Sequence, residues 1–288
     1  MLATACSLPL QKIRARLVAR RCRVHHRTRL LFAFVFAALL AAQPLHAKKP
    51  ETGFLDRAVT IQGIEYKYQV YLPVDWTTKK KWPVILFLHG AGERGDDGLI
   101  QSEVGIGTAI RRHRSRFPAV IVMPQCRKDI WWSDPVMAEM AMSAVAVSQK
   151  EFRGDPQRTY LTGLSMGGYG TWYLAANHPD KFAAIAPICG GILRPEESRK
   201  QPAEDTRPYT EAAQKVGKTP VWIFHGGDDP VVPVAESQHM AEAMKAVSAE
   251  VHYTEYPGVG HNSWEKAYAE PDFMTWLLSK SLNSPRSK

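Results

Sequence analysis

Apolar and polar residues are spaced in two different ways along this chain. Over residues 57–62 and 64–72 apolar positions recur at every second residue, with Tyr66, Tyr68, Val70 and Leu72 sharing one face, which predicts two strands turning at Gly63. Beyond a Lys-rich turn at 79–81, Val84-Ile85-Leu86-Phe87-Leu88 is apolar without interruption, the pattern of a strand covered on both faces. Short runs of the same kind at 119–123, 160–162, 183–188, 221–224 and 251–256 predict five further strands. Between them, residues 136–152, 166–178, 234–247 and 264–279 carry the spacing of helices, and the polar, proline-bearing segment 194–208 reads as one long loop. Strand alternating with helix implies the α/β class, a mostly parallel eight-stranded sheet with helices on both faces. In such sheets ligands bind beyond the carboxyl ends of the strands, so the chemistry is to be sought just after each one.

A chain of 288 residues, 45% of them hydrophobic, is long enough for one large core. The formal net charge of +9 changes meaning once its location is read. Residues 1–47 hold eight Lys or Arg and no acid; removing those eight from the 37 leaves 29 bases against 28 acids. The body is therefore near neutral, which excludes a nucleic-acid partner of the basic-patch kind. The same segment runs from a basic stretch through thirteen apolar residues, 30–42, to Pro44-Leu45-His46-Ala47, the layout of a signal peptide cleaved after Ala47. Thirteen residues are too few to span a bilayer as a helix. The expected organisation is thus a signal peptide over 1–47 and one catalytic domain over 48–288, exported to the periplasm or beyond, with no stable membrane partner after removal of the leader. Cys126 and Cys189 are the two cysteines of the body, and no Cys/His cluster has zinc-ligand spacing, so no metal is expected.

Directly after the strand at 160–162 comes Gly163-Leu164-Ser165-Met166-Gly167-Gly168 and then a helix. A serine at a sharp strand-to-helix turn is lifted clear of the sheet, small residues two positions to either side permit the turn, and the helix amino terminus favours developing negative charge. Two later strand ends carry His225-Gly226-Gly227-Asp228-Asp229-Pro230 and Gly260-His261-Asn262, so the order Ser, Asp, His runs along the chain. A serine hydroxyl needs a base to become a nucleophile, and imidazole, titrating near pH 6.5, supplies one at neutral pH. His261, on its glycine-flanked loop, suits that role; His89 and His225 read as hydrogen-bonded loop supports. The residues alone leave Asp228 and Asp229 both open as the acid. Donors for an oxyanion are expected from the backbone N–H of Met166 and from the loop His89-Gly90-Ala91-Gly92, with Ala91 assigned and Gly90 as the alternative. Trp131 and Trp132 could wall a substrate-binding site for a sugar or phenolic group, the alternative being packing of their loop.

These motifs, together with Leu72-Pro73, Pro124-Gln125, residues 155–160 and Trp264, resemble the α/β-hydrolase superfamily over about residues 57–280. The branch they resemble is that of esterases and peptidases related to phospholipase/carboxylesterases, feruloyl esterases and polyhydroxyalkanoate depolymerases. In that group the acid is the fourth residue of G-x-x-D-x-x-V, which here selects Asp229. The resemblance implies an α/β-hydrolase fold with a minimal lid or none, and carboxylic-ester hydrolysis through an acyl-enzyme without a cofactor. The substrate expected is a small-molecule or polymeric ester, with acylated carbohydrate and aryl esters as candidates. A serine peptidase on the same fold and a noncatalytic carbohydrate-binding protein are the rival readings.

Overall fold

A computed structural model describes residues 51–202 and 204–283, so the leader expected at 1–47 lies outside the described residues. The eight strands are β1 (Gly53–Ile61), β2 (Ile64–Leu72), β3 (Trp82–Leu88), β4 (Val120–Pro124), β5 (Gly154–Leu164), β6 (Ala184–Ile188), β7 (Val221–Gly226) and β8 (Val251–Tyr256). They form one sheet in the order β1-β2-β4-β3-β5-β6-β7-β8. β1 and β2 are an antiparallel hairpin with Ile61 opposite Ile64, β2 is antiparallel to β4, and every later pairing is parallel. The hairpin turns at Gln62-Gly63, as the period-two pattern predicts.

The helices are α1 (Ile106–Arg112), α2 (Pro135–Glu151), α3 (Met166–Asn177), α4 (Pro195–Ser198), α5 (Arg207–Val216), α6 (Ala235–Ala246), α7 (Trp264–Ala269) and α8 (Phe273–Ser279). Two separate cores flank the sheet. On one face Val84, Leu86 and Leu88 of β3 pack with Met140 and Val145 of α2, Trp172 of α3, Tyr209 of α5 and Met244 of α6. On the other, Ile85 and Phe87 meet Ile110 of α1, Tyr268 of α7 and Phe273 of α8. This is why β3 shows no alternation: each face of it is buried, at roughly 1.5–3 kcal/mol per large apolar side chain relative to exposure.

Two sequence expectations are corrected. The helix expected over 264–279 is two helices, because Pro271 lacks an N–H and biases Glu270 to an extended conformation (φ −55°, ψ 123°). The long loop expected over 194–208 contains α4, and α5 already begins at Arg207 with Pro208 in its first turn, where the missing N–H costs nothing. The helix expected over 136–152 is α2, and its start is fixed locally: Asp134 accepts from the amides of Val136 and Met137, with Pro135 at the first helical position.

Candidate active site

β5 delivers Ser165 at the entry to α3 with φ 53° and ψ −119°, a strained backbone for a residue with a side chain, at a cost of order 1–3 kcal/mol. The surroundings hold it there. Its amide donates to the Ile188 carbonyl at 2.9 Å, and its carbonyl accepts from Gly168 at 2.8 Å and Tyr169 at 3.1 Å. A Cβ on Gly163 would overlap the Gly167 carbonyl, and one on Gly167 would overlap the Leu88 carbonyl. The two small residues flanking the serine thus let α3 press onto the sheet behind it.

The loops after β7 and β8 bring the other two groups to the serine. Asp228 N–H donates to the Val259 carbonyl at 3.0 Å, and Gly226 lies so close to the Gly260 carbonyl that no side chain fits there. His261 Nε2 is 2.9 Å from Ser165 Oγ, and His261 Nδ1 is 2.7 Å from Asp229 Oδ2. One tautomer satisfies both contacts, with Nδ1–H donating to the carboxylate and Nε2 accepting from the serine hydroxyl. The Trp264 ring stands edge-on to the imidazole with centroids 5.5 Å apart. Ser165 and His261 are partly exposed, whereas the Asp229 side chain is fully buried. Asp228 is exposed and Asp229 reaches the imidazole, which separates the two aspartates that the residues alone left open.

Asp229 accepts more than one bond. Its Oδ1 takes the Val231 and Val232 amides at 2.8 and 3.0 Å, and Oδ2 lies 3.2 Å from His225 Nε2. Burial alone would push this carboxyl up; hydrogen bonds from His225, His261 and the two amides outweigh it and hold it well below the usual carboxylate range. His225 Nδ1 is in turn 2.6 Å from Ser237 Oγ and its Nε2 3.1 Å from the Val232 carbonyl. The acid therefore sits between two histidines, an arrangement that the sequence reading of His225 as a loop support did not contain.

Met166 opens α3, and Ala91 opens a turn of 3₁₀ helix, Ala91–Glu93; neither amide has a hydrogen-bond partner among the described residues. The Ala91 loop lies against the serine: a Cβ on Gly90 would be 3.6 Å from Ser165 Cβ. His89 anchors that loop from below, its Nδ1 at 2.6 Å from the Gly90 carbonyl and its Nε2 accepting from Cys126 N–H at 2.9 Å. Burial lowers this imidazole to about 4.

Trp132 is part of the same anchor, which corrects its reading as a substrate wall. It is fully buried, its indole N–H donates to the His89 carbonyl at 3.0 Å, and its ring packs on His89. Trp131 is half-buried, packs on the edge of the core and lines a cavity of about 430 Å³ beside α3. Sequence reasoning missed Glu236, a fully buried carboxylate in the first turn of α6. It accepts from the amides of Ile192 and Leu193 at 2.8 and 3.1 Å and from the Tyr209 hydroxyl at 2.6 Å, fixing the loop after β6. No short-range pattern marks it, because its partners are 27 to 44 residues away.

Cys126 and Cys189 are buried free thiols, each pushed up to about 12 by burial. Cys189 Sγ, an Asp229 oxygen and a His261 nitrogen lie within 4.8 Å of one another, a group with metal-ligand chemistry. The carboxylate and imidazole of that group already bond to each other, and that bond would have to break to admit an ion.

Residues 60–276 match the family described as "Putative esterase". Over 204 residues the chain is 24% identical to acyl-protein thioesterase 1 of Gibberella zeae, covering 62% of this chain and 83% of that protein. It is 31% identical over 108 residues to a "Putative carboxymethylenebutenolidase" of Escherichia coli (strain K12), covering 38% of this chain and 37% of that protein. Among solved structures, a thermostable esterase superposes with a TM-score of 0.65 at 31% identity, over 79% of this chain and 63% of that one. The chain thus spans less than two thirds of the length of the last two.

Proposed function

The chain belongs to the "Putative esterase" family and has the α/β-hydrolase fold, and from that premise we propose that it hydrolyses carboxylic esters with a Ser165, His261, Asp229 triad. The observation that carries the reading is the unbroken chain of short contacts from Ser165 Oγ through His261 to Asp229, built on a strained elbow. Ser165 Oγ attacks the ester carbonyl as its proton passes to His261 Nε2. Asp229 keeps Nδ1–H in place and stabilises the imidazolium that forms. The N–H groups of Met166 and Ala91 face the oxyanion of the tetrahedral intermediate. Its collapse expels the alcohol, which takes the proton from Nε2 and leaves the acyl group on Ser165; water activated by the same imidazole then releases the acid. The half-open setting of Ser165 and His261 suits a small or polymeric ester. The basic and then apolar residues 1–47 support export as the setting of the reaction. Among the described residues no helix is long and apolar enough to cross a membrane.

Hydrolysis of 4-nitrophenyl acetate and butyrate by the full chain, beside Ser165→Ala, tests the reading. Turnover in the parent and a loss of at least about 10³-fold in the variant are expected. Equal rates in the two proteins would refute Ser165 as the nucleophile, and cleavage of peptides without turnover of esters would replace the esterase with a peptidase.

A further inference from the structure

Behind the acid of the triad lies a second chain of hydrogen bonds. His225, fully buried near the end of β7, has two acceptors at Nε2: the Val232 carbonyl at 3.1 Å and Asp229 Oδ2 at 3.2 Å. That nitrogen therefore carries the hydrogen and shares it between them, since a bare lone pair would face two oxygens in a place closed to water. Nδ1, 2.6 Å from Ser237 Oγ, is left to accept the serine proton in the neutral ring. Ser237 is itself buried, in the first turn of α6. The bonds thus run one way, from Ser237 to His225 and from His225 to Asp229, ending on the oxygen that also takes Nδ1–H of His261 at 2.7 Å.

The choice of oxygen matters. Oδ1 of Asp229 is held by the Val231 and Val232 amides, and the Val232 carbonyl would by itself satisfy His225 Nε2–H. His225 nevertheless stands against Oδ2, the oxygen in contact with the base. A donor on a carboxylate stabilises its negative charge and so weakens its attraction for any other donor. Without it, Oδ2 would draw more strongly on His261, and the imidazolium would give up its proton to the leaving alcohol less readily. The other groups facing this chain are the Cys189 thiol after β6, the Tyr169 hydroxyl of α3, Glu255 of β8, Glu236 beside Ser237 and the exposed Asp228. Burial pushes the thiol up to about 12 and raises the phenol, so both stay neutral while an imidazole titrates. Tyr253 and Gln238 hold Glu255 below its ordinary value, so it stays charged.

We propose that His225, held by Ser237, is a positioning residue for the ester hydrolysis: by donating to Asp229 Oδ2 it orients that oxygen and limits its pull on the His261 proton. The proposal rests on the serine-esterase reading above and extends the triad behind its acid. A mere loop support would affect folding and leave the basicity of His261 where it is.

The test uses the full chain with three substitutions. His225→Phe keeps a ring and removes the donor, His225→Gln returns an amide N–H to the Nε2 position, and Ser237→Ala takes away the hydroxyl behind the ring. Ring ¹⁵N shifts of His261 are followed across its titration, and kcat/KM for 4-nitrophenyl acetate is measured over the same pH range. In His225→Phe the His261 midpoint and the acid limb of kcat/KM should rise together by about half a pH unit, with the plateau falling about tenfold. His225→Gln should bring the midpoint back to within about 0.2 units of the parent, and Ser237→Ala should raise it by about 0.2–0.3 units, since an unassisted ring is the weaker donor. An unmoved midpoint in His225→Phe, or in Ser237→Ala should the first variant not fold, overturns the proposal, as do equal shifts in the Phe and Gln variants. Because the ¹⁵N titration needs no turnover, the expected shift in a chain that cleaves no ester would support the coupling of His225 to His261 and sink the esterase reading alone. Ester turnover with a fixed midpoint sinks the role of His225 alone.

Discussion

Acid should destabilise this protein well above the pH at which its carboxylates protonate, and His89 is the reason. The ring is fully buried against Trp132, its Nδ1–H donates to the Gly90 carbonyl, and its Nε2 lone pair accepts from Cys126 N–H. A second proton on Nε2 would turn that acceptor into a donor facing a donor. Burial accordingly lowers the imidazole from an ordinary 6.5 to about 4. The unfolded chain takes up a proton near pH 6.5 and the folded one resists until about 4. The stability contributed by the neutral ring is therefore complete above about pH 6.5 and is lost as the pH falls towards 4. A gap of about 2.5 units corresponds to roughly 3 kcal/mol, a large part of a typical total of about 5–15 kcal/mol. Urea unfolding of the parent and of His89→Gln, at intervals from pH 7 to 4, isolates this contribution because every other titrating group is common to both. The parent should lose about 3 kcal/mol more than the variant over that range. Parallel stability curves, or ring ¹⁵N shifts showing His89 protonated at pH 6, would refute the reasoning.

Asp229→Asn should lower kcat for 4-nitrophenyl acetate by about 10³–10⁴-fold, since the amide cannot hold the imidazolium, while Asp228→Asn should stay within about twofold of the parent; similar losses in both would remove Asp229 from its role. Glu236→Ala strands the amides of Ile192 and Leu193 and the Tyr209 hydroxyl in a buried place, at a cost of about 3 kcal/mol. Faster hydrogen exchange at Ile192 and Leu193 should accompany it, and exchange at the parental rate would show that the loop holds itself. Gly190→Ala puts a Cβ 2.5 Å from the Gly168 carbonyl carbon and should cost more than about 2 kcal/mol, whereas Gly258→Ala, at φ 72° with open space around it, should cost only about 1 kcal/mol in thermal unfolding. Equal losses at the two glycines would mean that close approach at Gly190 is relieved by movement of α3.

The legible parts of the fold were those written in neighbouring residues. Period-two spacing placed β1 and β2, an unbroken apolar run placed β3, and the elbow around Ser165 showed itself in its two glycines and the helix that follows. Pro271 and Pro208 act in opposite ways, because a proline ends a helix from inside but is welcome in a first turn; the helix expected at 264–279 passes over the first, and the loop expected at 194–208 takes in the second. Trp132 misled for a different reason. Adjacent tryptophans on a loop look alike in sequence, and only the His89 carbonyl waiting beneath draws one of them into the core.

By itself the sequence determined the α/β alternation, the strand ends where chemistry gathers, the order of serine, aspartate and histidine along the chain, and, through the family motif, the preference for Asp229. Those properties depend on local spacing, turn chemistry and short motifs, which contiguous residues carry in full. Tertiary structure alone decided the strand order, the contact of Asp229 rather than Asp228 with His261, the second histidine on that carboxylate and the Glu236 clamp. Each of these joins side chains or strands that are far apart in the chain or differ by one position on a turn, and which of them meet is fixed only when both faces of the sheet have been packed and every buried donor has sought an acceptor.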